Sequence, residues 1–117
     1  NKIVSLFPNN VSSYLYRARF YSYIGKYDYA IHNYNRVIEF EPNNFENYKR
    51  RGWYYEQLSQ YENAISDFLK AINLNPDDDD LYYFYYHLSI CYQSLGNIQK
   101  SQEYFSKYKF ILENKGK

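Results

Sequence analysis

Absences narrow the field first. The chain of 117 residues has one cysteine, no methionine, three prolines and four glycines. A single cysteine, Cys91, cannot close a disulfide within the chain, so a reducing, intracellular and cytoplasmic setting is expected. Gly25, Gly52, Gly96 and Gly116 are too scattered for a phosphate-cradling loop. His32 and His87 lie far apart and, with one thiol, cannot make a tetrahedral metal site, so no metal or cofactor is expected. No apolar run approaches the roughly 18 residues of a membrane span, and no basic-then-apolar leader opens the sequence, so neither membrane insertion nor secretion is expected. Excess charge is missing too: 14 basic against 13 acidic residues leave +1, which gives little attraction for nucleic acid or a membrane surface.

Tyrosine is what the chain has in abundance: 18, beside 8 phenylalanines. Tyrosine offers apolar ring faces with a polar tip, which suits a thin structure in which many side chains are half buried. The prolines then supply a ruler. Pro8, Pro42 and Pro76 stand 34 apart, and between them one pattern recurs. Tyr14, Arg17, Ala18, Tyr21, Ala30, Tyr34 and Pro42 are followed, at the same gaps, by Tyr48, Arg51, Gly52, Tyr55, Ala64, Phe68 and Pro76. A third copy emerges only when the frame slips by three: Tyr85, Leu88, Ser89 and Tyr92, then Ser101 and Phe105, with Gly96 in the column of Gly25. The insertion therefore lies between Pro76 and Tyr85, in "PDDDDLYYFY".

Each copy reads as two helices. Large residues three and four apart mark one face of the first helix. Gly25, the pair Ser59-Gln60 and Gly96 break the chain, and the second helix restarts near Asp28, Glu62 and Asn97, residues suited to a helix N-terminus. Pro42 and Pro76 stop it. Ala18, Gly52 and Ser89 are expected to face Ala30, Ala64 and Ser101, small against small, so that the two axes approach closely. Arg17 and Arg51 suggest pairs with the partner helix, Arg51 with Asp67 and a weaker amide version of Arg17 with Asn33, or else partly exposed arginines lying along tyrosine rings.

These residues resemble the tetratricopeptide repeat, with its aromatic, Leu-Gly, Tyr, Ala, Phe and Pro columns over about 34 residues. The resemblance implies an all-α fold, a right-handed superhelix (α-solenoid) of antiparallel helix pairs with three repeats. Residues 1–10 read as the end of a preceding repeat, 11–44, 45–78 and 79–113 as the three copies, and 114–117 as a tail. It further implies a protein–protein interaction module whose concave face, lined by the first helix of each pair, takes a peptide or helix of a partner. The concave positions are then Ser12, Tyr16, Arg19 and Tyr23; Glu46, Lys49, Arg50, Trp53 and Glu56; and Tyr83, Tyr86, His87, Ile90 and Gln93. Of these, Tyr16, Arg19, Tyr23, Lys49, Arg50, Trp53, Tyr83, Tyr86 and His87 are the candidate binding residues, suited to an acidic segment with aromatic anchors, and Trp53 is the expected hot spot. The two-sided Lys, Asn and Arg clamp by which some relatives hold chaperone tails is not matched: its columns hold Leu15, Arg19, Arg50, Tyr83 and His87.

No catalytic residue is expected. His87 and Cys91 are four apart on one helix, yet nothing supplies an orienting acid or oxyanion hole, and a packed thiol beside a surface histidine is the simpler reading. Asp77 to Asp80 lack the alternation of a calcium loop and instead suit a helix N-terminus. Two other readings stand beside the groove: stacking on further repeats or on another copy through exposed solenoid ends, and a regulatory appendage of a larger enzyme.

Overall fold

The computed structural model describes residues 10–74 and 76–115, with the backbone alone at Asp78, and among these residues the secondary structure is entirely helical. Six helices follow one another: α1 (Val11–Tyr23), α2 (Tyr27–Phe40), α3 (Phe45–Gln57), α4 (Tyr61–Asn73), α5 (Asp78–Ser94) and α6 (Ile98–Asn114). Each packs on the next in chain order, so α1/α2, α3/α4 and α5/α6 are antiparallel pairs stacked into a right-handed solenoid. The preceding-repeat reading of residues 1–9 and the last two residues of the tail lie outside the described residues.

One turn is used three times. Gly25, Ser59 and Gly96 take left-handed φ of 77°, 58° and 81°. In each, the N–H of that residue and of its successor close onto carbonyls of the preceding helix, as in Lys26 to Tyr21 (2.8 Å), Gln60 to Tyr55 (2.9 Å) and Asn97 to Tyr92 (2.9 Å). This satisfies carbonyls that a helix end would orphan, and glycine enters it without strain; Ser59 does not. The N-termini differ more. Asn10, Asn44, Asp77 and Asn97 cap their helices through side-chain oxygens. Helices α2 and α4 have no side-chain cap; Asp28 and Glu62 sit instead in their first turns.

Within pairs the expected small-residue contacts form. Ala18 and Ala30 are fully buried. The hydroxyls of Ser89 and Ser101 lie 3.4 Å apart. A Cβ on Gly52 would come within 2.8 Å of the Phe68 ring, so this position requires glycine for the approach of α3 to α4. Between pairs the core is aromatic. Tyr54 of α3 covers Tyr34 of α2, centroids 5.6 Å apart, and Phe84 of α5 covers Phe68 of α4 at 5.9 Å. Phe84, absent from the repeat columns, is fully buried. Its equivalents in the earlier copies are the polar Ser13 and Asn47, so the repeat pattern concealed it.

The slipped frame has a structural counterpart. Both helices of the third pair have 17 residues, against 13 or 14 in the others. The insertion lengthens the N-terminus of α5 rather than the turn. Glu113 stands where the third copy would have its closing proline, and α6 continues to Asn114 beside it. The lengthened ends are tied together: the Tyr82 ring lies tilted against Tyr108 at 4.8 Å, and the Lys115 ammonium pairs with the Asp79 carboxylate.

Candidate functional site

The first helices α1, α3 and α5 line one face, and two adjoining pockets run along it. The first, of about 450 Å³, is walled by Ser22, Lys49, Arg50, Trp53, Tyr54 and Tyr83. The second, of about 350 Å³, is walled by Arg19, Ser22, Tyr23, Tyr34, Arg50 and Tyr54. Ser22, Arg50 and Tyr54 are common to both, so the pockets form one groove across the first two repeats and onto the third.

Helical geometry explains the clustering. Arg19, Ser22 and Tyr23 recur at three and four residues on α1, and Lys49, Arg50, Trp53 and Tyr54 do so on α3, which places each set on one face. Tyr23 is 90% exposed and free to meet a ligand. Trp53 is half buried, edge-on to Tyr27 at 5.5 Å and to Tyr54 at 5.8 Å, so its ring joins two repeats as well as facing the groove.

The cations are not equivalent. Lys49 is held by Asp80 at 3.0 Å and lies over the Tyr83 ring at 4.6 Å. Arg50 has only a long, exposed contact of 4.0 Å to Glu46. Arg19 has no ion-pair partner among the described residues. Below them, burial pushes the Tyr34 phenol up to about 12; the charge of Tyr54 adds to the shift, and Arg50 and Arg19 oppose it. Burial likewise raises the Tyr83 phenol, with Glu56 adding to the shift.

Three candidate residues stand apart from these pockets. Tyr16 is exposed on α1 but lines neither. His87 bonds through Nδ1 to Glu56 Oε1 at 2.8 Å, linking α5 to α3, with its ring against Tyr83 at 4.2 Å. Tyr86 leans on Tyr108 of the last helix at 5.1 Å, toward the end of the solenoid. Conversely, Ser22, Tyr34 and Tyr54 line the groove without having been singled out in the sequence. One signal was available: Tyr34 carries a hydroxyl in a core column where the second copy has Phe68.

The polar core beneath the groove answers the arginine question in two ways. Arg51 grips Asp67 with both arms, Nε to Oδ2 at 2.8 Å and Nη2 to Oδ1 at 2.7 Å, while Nη1 donates to Asn35 at 2.9 Å. Burial pushes the Asp67 carboxyl up, against the pull of Arg51. Burial would lower Arg51, but its bond to Asp67 and the carboxylate charge prevail and its shift is upward. The weaker Arg17–Asn33 version does not form. The Asn33 amide donates instead to the Tyr29 carbonyl at 2.8 Å, leaving Arg17 Nε and Asn33 Oδ1 buried without partners. An amide has one acceptor atom, and its donor is satisfied within its own helix.

The thiol of Cys91 is fully buried, and burial, reinforced by the charge of Glu56, pushes it up to about 12. With His87 turned to Glu56, no activated thiolate arises at this pair. Among the described residues no group of three or more His, Cys, Asp or Glu could hold a metal ion, and no helix is long and apolar enough to cross a membrane.

A helix-pair solenoid with a grooved first-helix face defines a class, and comparison gives the family. Profiles of the tetratricopeptide repeat match residues 46–78 in one version, and 11–44 and 82–108 in another. The chain belongs to the tetratricopeptide repeat family, and with it to proteins whose role is protein–protein interaction or scaffolding. Among solved structures it is similar to MamA AMB-1, with a TM-score of 0.83 and 24% identity over 95% of this chain and 59% of that one. MamA 41-end from Desulfovibrio magneticus RS-1 gives a TM-score of 0.85 and 21% identity over 99% and 64%. Another MamA crystal structure gives 0.80 and 27% over 94% and 63%. The chain thus spans under two thirds of the length of these structures, and the likeness is one of fold. No curated protein matches the sequence.

Proposed function

We propose that the face formed by α1, α3 and α5 binds an acidic segment of a partner protein, with aromatic or apolar anchors, as the recognition surface of repeats at 11–44, 45–78 and 79–113. The carrying observation is the continuous groove in which the weakly paired Arg19 and Arg50 stand beside Trp53, Tyr54 and Tyr83. Arg19, Tyr23, Lys49, Arg50, Trp53 and Tyr83 form its centre, Tyr16 and His87 its flanks, and Tyr86 belongs to the end of the solenoid. Aromatic walls exclude water from a bound side chain, and cations on the rim select acidic partners and speed their approach. A reducing intracellular setting fits the buried Cys91 thiol. The test is partner capture with the wild type and an Arg50→Glu/Trp53→Ala double variant, checked for retained helicity because Trp53 also packs on Tyr27. Groove clients disappear from the double variant; survival of every partner overturns the reading.

A second reading rests on a separate surface. Tyr86, Ile98 and Phe105 are all more than 40% exposed on the third pair, and apolar area of this kind suits stacking on another repeat or another copy. Light scattering over a concentration series separates the two readings. Stacking gives dimers that Phe105→Glu abolishes and Arg50→Glu leaves intact; a monomer at all concentrations removes self-association.

A further inference from the structure

The second pocket of the groove has features that an acidic peptide in general does not explain. Tyr34 and Tyr54 are 4% and 5% exposed, yet both line this pocket; among the described residues neither hydroxyl makes a hydrogen bond, and neither is closed off from solvent. A phenol whose ring is packed while its hydroxyl reaches solvent presents a fixed, open donor. Here the two hydroxyls stand on the floor of a cavity with Arg19 and Arg50 at its rim and Ser22 and Tyr23 on its walls. Among the described residues, the one acid in an ion pair with these arginines is Glu46, 4.0 Å from Arg50 and about half exposed. Lys49, the next cation along α3, is already occupied by Asp80.

The same molecule shows what a carboxylate needs. In the second repeat one planar carboxylate, Asp67, meets one edge of a guanidinium, two oxygens against two N–H groups. The pocket offers a different complement: guanidinium groups from two helices, Arg19 on α1 and Arg50 on α3, in one lining with the hydroxyl-bearing Ser22, Tyr23, Tyr34 and Tyr54. Donors supplied by three helices suit a tetrahedral group with three terminal oxygens better than a planar one, and two cations with one weak counter-charge suit a dianion. We propose that this pocket, bounded by Arg19, Arg50, Tyr34, Tyr54 and Ser22, is a subsite for a phosphorylated side chain of the partner segment. The inference rests on the groove reading and specifies which anion the first two repeats select. Phosphorylation of the partner then switches docking on, by adding charge where the unmodified hydroxyl offers none.

The test is an NMR titration of the 117-residue chain with N-acetyl-phosphoserine methylamide, following the side-chain Nε–H signals of Arg19 and Arg50. Saturable shifts are expected at both arginines. N-acetyl-glutamate methylamide binds about tenfold more weakly, as does the phosphoserine probe to Arg19→Gln, since one charge-assisted contact contributes about that factor. Binding also weakens from pH 7.5 to pH 5, where the probe passes through its second ionisation near about 6 and becomes a monoanion. Absence of saturable shifts overturns the proposal, as does equal affinity for the glutamate probe or unchanged affinity in Arg19→Gln. A short single-stranded RNA that outcompetes the phosphoserine probe also overturns it, in favour of a nucleic-acid phosphate site. Partner capture separates the two levels. Clients lost with Arg50→Glu/Trp53→Ala but kept with Arg19→Gln leave the groove standing and remove the phosphate subsite; clients kept with both remove the groove itself.

Discussion

The middle repeat and its two neighbours use the same columns with different success. In the second repeat, Arg51 finds Asp67 on its partner helix and Asn35 on the previous pair, and Phe68 is sealed beneath Phe84. In the first, Arg17 and Asn33 occupy the columns of Arg51 and Asp67 without pairing, and a donor and an acceptor remain buried without partners. In the third, Leu88 replaces the arginine, and Phe105, in the column of Phe68, is 43% exposed because no further helix covers it among the described residues. A repeat is therefore completed by what it borrows: a carboxylate from its second helix and a lid from the next pair. Nearest-neighbour borrowing of this kind makes solenoid stability a sum of repeat and interface contributions.

The largest expected contrast is between Phe68→Ala and Phe105→Ala. Removing the buried ring leaves a cavity between α4 and α5 and costs about 4 kcal/mol. Removing the half-exposed ring costs less than about 1 kcal/mol. Chemical denaturation of the two variants checks this, and equal losses would break the comparison. Next comes the polar pair. Asp67→Ala leaves Arg51 largely buried without its carboxylate and costs about 3 kcal/mol. The reciprocal change, Asn33→Asp, supplies the first repeat with the acceptor pair it lacks and stabilises it by about 1 kcal/mol. An Asn33→Asp variant that loses stability would show that the first repeat cannot bring its carboxylate to Arg17 as the second does.

Much of the fold was legible in the chain. Prolines at a spacing of 34, small residues at fixed offsets and the Gly25 and Gly96 breaks report local requirements: a stopped helix, a close crossing, a left-handed turn. Such requirements act within one or two turns, so the sequence carries them directly. The Arg51–Asp67 pair was readable for the same reason, since both residues belong to one helical hairpin.

The groove was legible only in part. Arg19, Tyr23, Lys49, Arg50, Trp53 and Tyr83 were assigned to one face by helical angle, and they surround two adjoining pockets. Angle alone could not show that Lys49 would be taken by Asp80 across the inter-repeat gap, or that His87 would turn to Glu56. Nor could it show that Tyr86 would lean on the far end of the solenoid. Each outcome depends on how a pair sits on its neighbour.

By itself, then, the sequence determined the repeat, its two helices, its turns, and the place where three residues were inserted. Only the tertiary structure decided that the insertion lengthens α5 by a turn instead of loosening a loop, and that α6 lengthens beside it. It also decided that Phe84 is core, and that Tyr34 and Tyr54, packed as core rings, also line the groove. The physical reason is one of range. Caps, breaks and helical faces are set by residues a few positions apart, whereas burial and partner choice are set by pairs of helices meeting across 30 residues of chain or more.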